Sequence, residues 1–385
     1  MRFEFATAAR ILFGAGMVRE VAPAAKEMGK RALFVTGRSP ERSALLVTQL
    51  KAAGIARASF AADGEPTLAV IRQGVQRARE EQCDMVISLG GGSAIDAGKA
   101  IAALLANGGE LMDYLEVIGR AKPLSLPSAP FIAIPTTSGT GAEVTRNAVL
   151  ASSEHQVKVS LRSPRMLPRL AVVDPELTLD LPQAVTASTG LDALTQLIEP
   201  YVSIRANPMT DGFCTEGMRR VSCSLRPAYH HGGDAEARMD MSLASLLGGL
   251  ALANAGLGVV HGFAAPVGGM FPAPHGAVCA ALLPHGMDVN IRALRARAPQ
   301  SESLRRYEAV ARILTGKPGA VAEEGTEWVS QLCGECGIPP LSAYGIHEPD
   351  VPVLVPMASQ ASSMKANPIA LTTDELREVL TRALG

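Results

Sequence analysis

Apolar positions in the first 180 residues fall in short runs, and between the runs their spacing changes to that of helices. Residues 31–36, 85–89, 131–134 and 170–173 are brief apolar or β-branched stretches with the length of buried strands. Segments 21–28, 67–81 and 94–106 instead repeat apolar residues every three or four positions, the period of a helix with one buried face. Strands alternating with helices predict an α/β domain built on a parallel, Rossmann-like sheet. Residues 147–161 interrupt the alternation and read as a β-hairpin turning at Ser152-Ser153-Glu154. Past Pro182 the strand signals stop. Helical periods then cover 187–201, 208–225, 236–262, 277–294, 304–314, 320–333 and 373–384, with breaks at Gly268-Gly269 and Pro272-Ala273-Pro274. The expected organisation is an α/β dinucleotide-binding domain over residues 1–181 and an all-α domain over 182–385.

Composition narrows the function classes. With 385 residues, 47% of them hydrophobic and 19% charged, the chain can bury large cores and reads as a soluble globular protein. Its net charge of −1 and the lack of a basic stripe interleaved with aromatics argue against a nucleic-acid partner. The opening Met1-Arg2-Phe3-Glu4-Phe5 lacks the layout of a signal peptide, and no apolar run has membrane-spanning length, so the cytoplasm is the expected location. Six scattered cysteines do not describe a disulfide framework. Cys333-Gly-Glu-Cys336 has the spacing of a redox pair or of half a zinc site, but no second pair stands near it, and it reads as incidental.

Candidate chemistry begins at Gly90-Gly91-Gly92, between the strand-like run 85–89 and the helical stretch opened by Ser93. A strand feeding a side-chain-free turn into a helix aims backbone N–H groups and a helix dipole at a phosphate. The same glycines would also serve a tight strand-to-helix turn. The pattern is neither the P-loop nor Gly-x-Gly-x-x-Gly. A second loop rich in hydroxyls, residues 135–145, follows the strand ending at Ile134; it reads either as a ligand-binding edge of the sheet or as a turn capped by Thr137 or Ser138. In the helical half, Asp192 and Gln196 stand four apart on one helix face, His261 lies in an apolar helix, and His275 opens the next one after Pro274. An aspartate and two histidines from different helices suit zinc or ferrous iron, whereas each histidine alone reads equally as a core residue or a cap.

Together these motifs resemble the iron-containing (group III) alcohol dehydrogenases. The resemblance is carried by Gly90-Gly91-Gly92-Ser93 with Asp96 and Lys99, by residues 135–145, by Thr189-Gly190-Leu191-Asp192-Ala193-Leu194-Thr195, and by His261 through His275-Gly276. It runs in order from Phe13-Gly14-Ala15-Gly16 to Asn367-Pro368. It implies an N-terminal NAD(P)-binding domain, a helical domain holding a catalytic divalent metal (Fe2+ or Zn2+), an active site in the cleft between them, and a homodimer or larger homo-oligomer. The implied cofactor positions are Gly91, Gly92 and Ser93 for the pyrophosphate, Thr136, Thr137 and Thr140 in the second loop, Asn147 and Lys158 in the hairpin, and Asp96 toward the nicotinamide or its ribose. The implied catalytic and metal-binding residues are Asp192, His261 and His275, with Gln196 at a fourth metal position.

Three positions depart from the family pattern. Gln196 replaces a histidine and offers only a neutral carbonyl oxygen. Ala265, one turn after His261, replaces a histidine associated with proton relay and cannot carry a proton. Gly37 stands where NAD-preferring relatives carry an aspartate; its lack of charge, with Arg38 or Ser39 beside it, favours NADP(H) over NAD(H), although Arg38 reads equally as a solvated loop residue. The expected reaction is metal-assisted hydride transfer between NAD(P)(H) and a small alcohol, aldehyde or ketone. A maleylacetate reductase, a dehydroquinate-synthase-type lyase and a catalytically silent nucleotide-binding relative are the alternatives.

Overall fold

The computed structural model describes residues 2–37 and 43–385, so Arg38 and Ser39 lie outside the described residues. The chain divides into two compact units. Ala6–Thr137 and Gly141–Leu179 form the first; Asp180–Gly385 forms the second, joined by the N-terminal residues through Phe5 and by the short Ser138–Thr140 segment.

In the first unit the elements run β1 (Ile11–Phe13), α1 (Val21–Lys26), β2 (Arg31–Thr36), α2 (Ala44–Ala52), β3 (Ala56–Ala61), α3 (Leu68–Glu80), β4 (Met85–Gly90), α4 (Gly92–Ala106), α5 (Leu111–Tyr114), β5 (Phe131–Pro135), β6 (Asn147–Ser152), β7 (Val157–Arg162) and β8 (Leu170–Val173). Six strands form one parallel sheet in the order β1-β8-β5-β4-β2-β3. Side chains alternate across it. Leu33, Val35 and Val86 pack with α3 and α4, while Ala32, Phe34, Met85, Ile87 and Leu89 pack with α1 and α2. The helices that follow β2 and β4 therefore leave toward opposite faces of adjacent strands. Such a switch point opens a crevice at the strands' carboxyl ends, where open α/β sheets bind ligands.

The expected hairpin is present as β6 and β7, with Ser152 paired to Val157. Its turn is the four residues 153–156 rather than Ser152-Ser153-Glu154. Ser152 remains in the strand because Ala148, Leu150 and Ser152 form the alternating buried face, and Gln156 takes the left-handed backbone that closes the turn (φ 50°).

The second unit contains α6 (Gln183–Val202), α7 (Pro208–His230), α8 (Ala235–Ala255), α9 (Val259–Met270), α10 (His275–Arg297), α11 (Glu302–Thr315), α12 (Ala322–Glu335), α13 (Val351–Gln360) and α14 (Thr373–Ala383). The single helix expected over 236–262 is two helices bent by 98°. Gly256 ends α8 in a positive-φ conformation (75°), and the next helix starts again at Val259. Continuing onward, α9 passes through Gly268-Gly269 and ends at Met270. No single helix among the described residues is long and apolar enough to cross a membrane.

Glycines set how closely α4 lies on the sheet. A methyl group at Gly98 would stand 1.8 Å from Ser88 Oγ and 2.9 Å from Phe131 Cε2, whereas one at Gly334 in α12 would meet nothing within 4 Å. Gly98→Ala is therefore expected to destabilise the protein by about 1–3 kcal/mol. Gly334→Ala is expected to stabilise it by about 0.5–1 kcal/mol. Urea unfolding of both variants checks the contrast; equal effects would contradict this packing.

Candidate cofactor loops and metal centre

The helix α4 begins directly at the carboxyl end of β4. Its N-cap, Gly91, is extended (φ −70°, ψ −176°) and makes no side-chain cap, leaving the first-turn N–H groups without one from that position. A methyl at Gly90 would stand 2.6 Å from Ala94 Cβ and 3.3 Å from the Gly37 nitrogen, which explains this glycine by close packing of strand, helix and neighbouring strand end. Among the described residues, a methyl at Gly91 would meet Thr137 alone, at 3.5 Å. That glycine is not required by packing and leaves the uncapped helix end open. Gly92 and Ser93 form the first turn beside it.

The second loop starts where β5 pairs Pro135 with Gly90, and the Thr136 N–H donates to the Gly90 carbonyl at 3.0 Å. Thr137 lies against Gly91; Ser138–Thr140 belongs with the helical unit, through a 3.0 Å bond between the Ser138 and Ser242 hydroxyls. Neither Thr137 nor Ser138 caps a helix: the short helical turn Ala142–Val144 starts from left-handed Gly141 without a side-chain cap.

Lys99 explains how the loop and hairpin are held. Its fully buried ammonium donates to the carbonyls of Ala142 and Asn147, both at 2.7 Å, and to Thr145 Oγ1 at 2.8 Å. All three protons are thus committed within the fold. Asp96 accepts the Val149 N–H at 3.0 Å and lies 3.6 Å from Lys99, and burial raises its carboxyl to about 6. Burial likewise raises the Glu143 carboxyl to about 7. Lys158 pairs with Glu65 at 3.0 Å. Asp96, Asn147 and Lys158 therefore all make contacts within the α/β unit.

Four side chains meet in the helical unit. Asp192 of α6, His261 of α9, and His275 and Cys279 of α10 offer ligand atoms that all lie within 4.8 Å of one another. His261 Nε2 is 3.5 Å and His275 Nε2 3.7 Å from Asp192 Oδ1, while Cys279 Sγ is 3.8 Å from His261 Nε2 and 3.7 Å from His275 Nε2. The close approach of α10 to α6 depends on Gly276, where a methyl would stand 2.5 Å from the Ser188 carbonyl oxygen. Gln196 lies one turn along α6 from Asp192, buried against Gly248.

Glu199, two turns along α6 from Asp192, orients His261. One of its oxygens is 2.7 Å from His261 Nδ1, and the other accepts the Val260 N–H at 2.7 Å. Asn367 accepts the adjoining Val259 N–H at 3.0 Å, so α9 starts against two acceptors from elsewhere in the unit. A methyl at Gly258 would strike both acceptors, at 2.8 and 2.9 Å, which accounts for the glycine at the break between α8 and α9. With Nδ1 engaged by the Glu199 carboxylate, Nε2 is the ring nitrogen directed toward Asp192 and Cys279.

The donor set fits a divalent cation. Asp192 Oδ1 is buried and accepts no hydrogen bond, and neither does Gln196 Oε1. The two Nε2 atoms and Cys279 Sγ surround the Asp192 oxygen, and a buried carboxylate so placed needs a compensating positive charge, either a proton on a histidine or a metal ion. The electrostatics agree. Burial pulls the His261 pKa down, but Cys279, Asp192 and Glu199 together carry it well above the ordinary value. Burial pushes Asp192 up, but His275 and His261 leave it below the usual carboxylate range. A field that holds protons this tightly also attracts a metal ion. Burial raises the Cys279 thiol to about 12.

The sequence reading missed Glu199 and Cys279. Both carry a helical signal: Glu199 is seven residues after Asp192, and Cys279 is four after His275, so each shares a face with a candidate ligand.

The model of iron-containing alcohol dehydrogenases matches residues 8–175, and the model of the family's C-terminal region matches residues 186–384. The chain belongs to the iron-containing alcohol dehydrogenase family. It is 38% identical to alcohol dehydrogenase 4 of Schizosaccharomyces pombe, over 97% of this chain and 87% of that protein. It is 34% identical to the NAD-dependent methanol dehydrogenase of Bacillus methanolicus, over 97% of each. The crystal structure of a 1,3-propanediol oxidoreductase matches it with a TM-score of 0.92 at 33% identity, covering 100% of both chains. Like other iron-containing alcohol dehydrogenases, the chain is an oxidoreductase that works with a nicotinamide cofactor and a divalent metal.

Two outcomes are expected from these contacts. Glu199→Gln, which removes the charge behind His261, should weaken divalent-metal affinity by about 10- to 100-fold in chelator competition; unchanged affinity would contradict its orienting role. The folded Glu143 carboxyl titrates near 7 against an ordinary value of 4.5, so the native state binds the extra proton across that interval. Its contribution to stability is therefore lost as pH rises from about 4.5 to about 7. The unfolding free energy of Glu143→Gln, relative to the unsubstituted protein, should climb over this window and then level off; a flat difference would contradict the assignment.

Proposed function

We propose that this chain interconverts small alcohols with their aldehydes or ketones, using NADP(H) in preference to NAD(H). The observation that carries the reading is the buried, hydrogen-bond-free Asp192 Oδ1 faced by the Nε2 atoms of His261 and His275. In this reading Asp192, His261 and His275 hold the divalent cation, and Gln196 offers a neutral acceptor in the same wall. The cation, when bound, supplies Lewis acidity to the substrate oxygen, and the nicotinamide exchanges the hydride.

The remaining roles belong to the chain. The uncapped N–H groups at Gly91, Gly92 and Ser93 bind the pyrophosphate, aided by the α4 dipole. Hydroxyls of Thr136, Thr137 and Thr140 line the adjacent loop, and the cofactor wall is completed by Asp96 of α4 together with Asn147 and Lys158 on the hairpin that Lys99 anchors. Gly37, at the end of β2, presents no carboxylate to repel a 2′-phosphate. With alanine at 265, the substrate proton is exchanged with water or a ribose hydroxyl.

The test is dialysis against EDTA followed by re-addition of Zn2+ or Fe2+, monitoring NADPH and NADH absorbance with a panel of short alcohols and aldehydes. Activity should disappear, return with metal, and favour NADPH; activity untouched by chelation would overturn the metal role. Gly91→Ala should leave stability unchanged, because among the described residues its methyl meets Thr137 alone, yet raise the cofactor KM by about tenfold or more through obstruction of the pyrophosphate.

A further inference from the structure

Resting on that metal-site reading, we propose that Cys279, rather than Gln196, is the fourth protein ligand, giving an Asp-His-His-Cys centre selective for zinc over ferrous iron. Zinc bonds of about 2.0–2.3 Å at tetrahedral angles hold neighbouring ligand atoms roughly 3.3–3.6 Å apart. In the structure the two Nε2–Oδ1 separations are 3.5 and 3.7 Å and the two Sγ–Nε2 separations are 3.8 and 3.7 Å. Four edges of the polyhedron are thus already close to the length a cation would impose.

Position and chemistry point the same way. Cys279 is fully buried one turn after His275, so a single helix presents nitrogen and sulfur to the same point. Gln196 supplies only a neutral amide oxygen. A thiolate is the softer and more strongly bound partner, and it shifts selectivity toward zinc. As the sulfur–metal bond forms, the thiol proton passes to solvent, so cysteine contributes the anionic charge that glutamine lacks. Four protein ligands would still leave a bound zinc able to polarise a substrate oxygen, since zinc sites can accept a fifth ligand.

X-ray absorption at the zinc edge of the zinc-loaded full chain tests this directly. One sulfur scatterer at about 2.3 Å is expected among nitrogen and oxygen neighbours. Cys279→Ser should abolish it and weaken zinc affinity in chelator competition by at least about tenfold, while Gln196→Ala retains the sulfur scatterer. A nitrogen- and oxygen-only shell around stoichiometric zinc overturns the cysteine assignment and leaves the metal-dependent reading intact. Failure to bind zinc or iron at all overturns both. The spectrum of the unsubstituted chain decides the matter even if the serine variant does not fold.

Discussion

A buried carboxylate oxygen without a hydrogen bond demands a compensating positive charge, and much of the helical unit is arranged around that demand at Asp192. One helix, α6, presents Asp192, Gln196 and Glu199 along a single face. The chain breaks at Gly256-Leu257-Gly258 so that α9 can start against Glu199 and Asn367, which places His261 beside Asp192. Gly276 lets α10 approach closely enough to deliver His275 and Cys279. Glycine at the break and at the contact, and an acid behind the histidine, are consequences of one electrostatic constraint.

The α/β unit solves a different problem. The helix end at Gly91 carries no side-chain cap, while the neighbouring turn and hairpin are fixed tightly. Lys99 does the fixing, with three short bonds that join the Ala142–Val144 turn and the start of the hairpin to α4. Within this unit, rigidity comes from a buried ammonium and openness from the absence of a side chain. The lysine in the glycine-loop motif therefore acts through the fold, with its protons engaged by the protein itself.

Much of this was legible in the residues, and the exceptions have physical causes. Central strands such as Arg31–Thr36 and Leu170–Val173 are nearly continuous apolar runs and were read with their observed bounds. The edge strands were not: Ile11–Phe13 is only three residues long, and Ala56–Ala61 exposes most of its side chains. The α8–α9 bend escaped because apolar residues continue through it; its causes, Glu199 and Asn367, are distant in sequence. Asp192, His261 and His275 were found by residue type, whereas Cys279 and Glu199 became visible only when their helices were packed together.

The central claim is that Asp192, His261 and His275 surround a cation. Anomalous diffraction at the zinc edge from crystals grown with zinc measures this most directly. The account predicts one strong peak about 2.0–2.2 Å from Asp192 Oδ1 and from both Nε2 atoms. A fully zinc-exposed crystal with no peak there, and with the Asp192 carboxylate instead hydrogen-bonded to protonated His261 and His275, would contradict it.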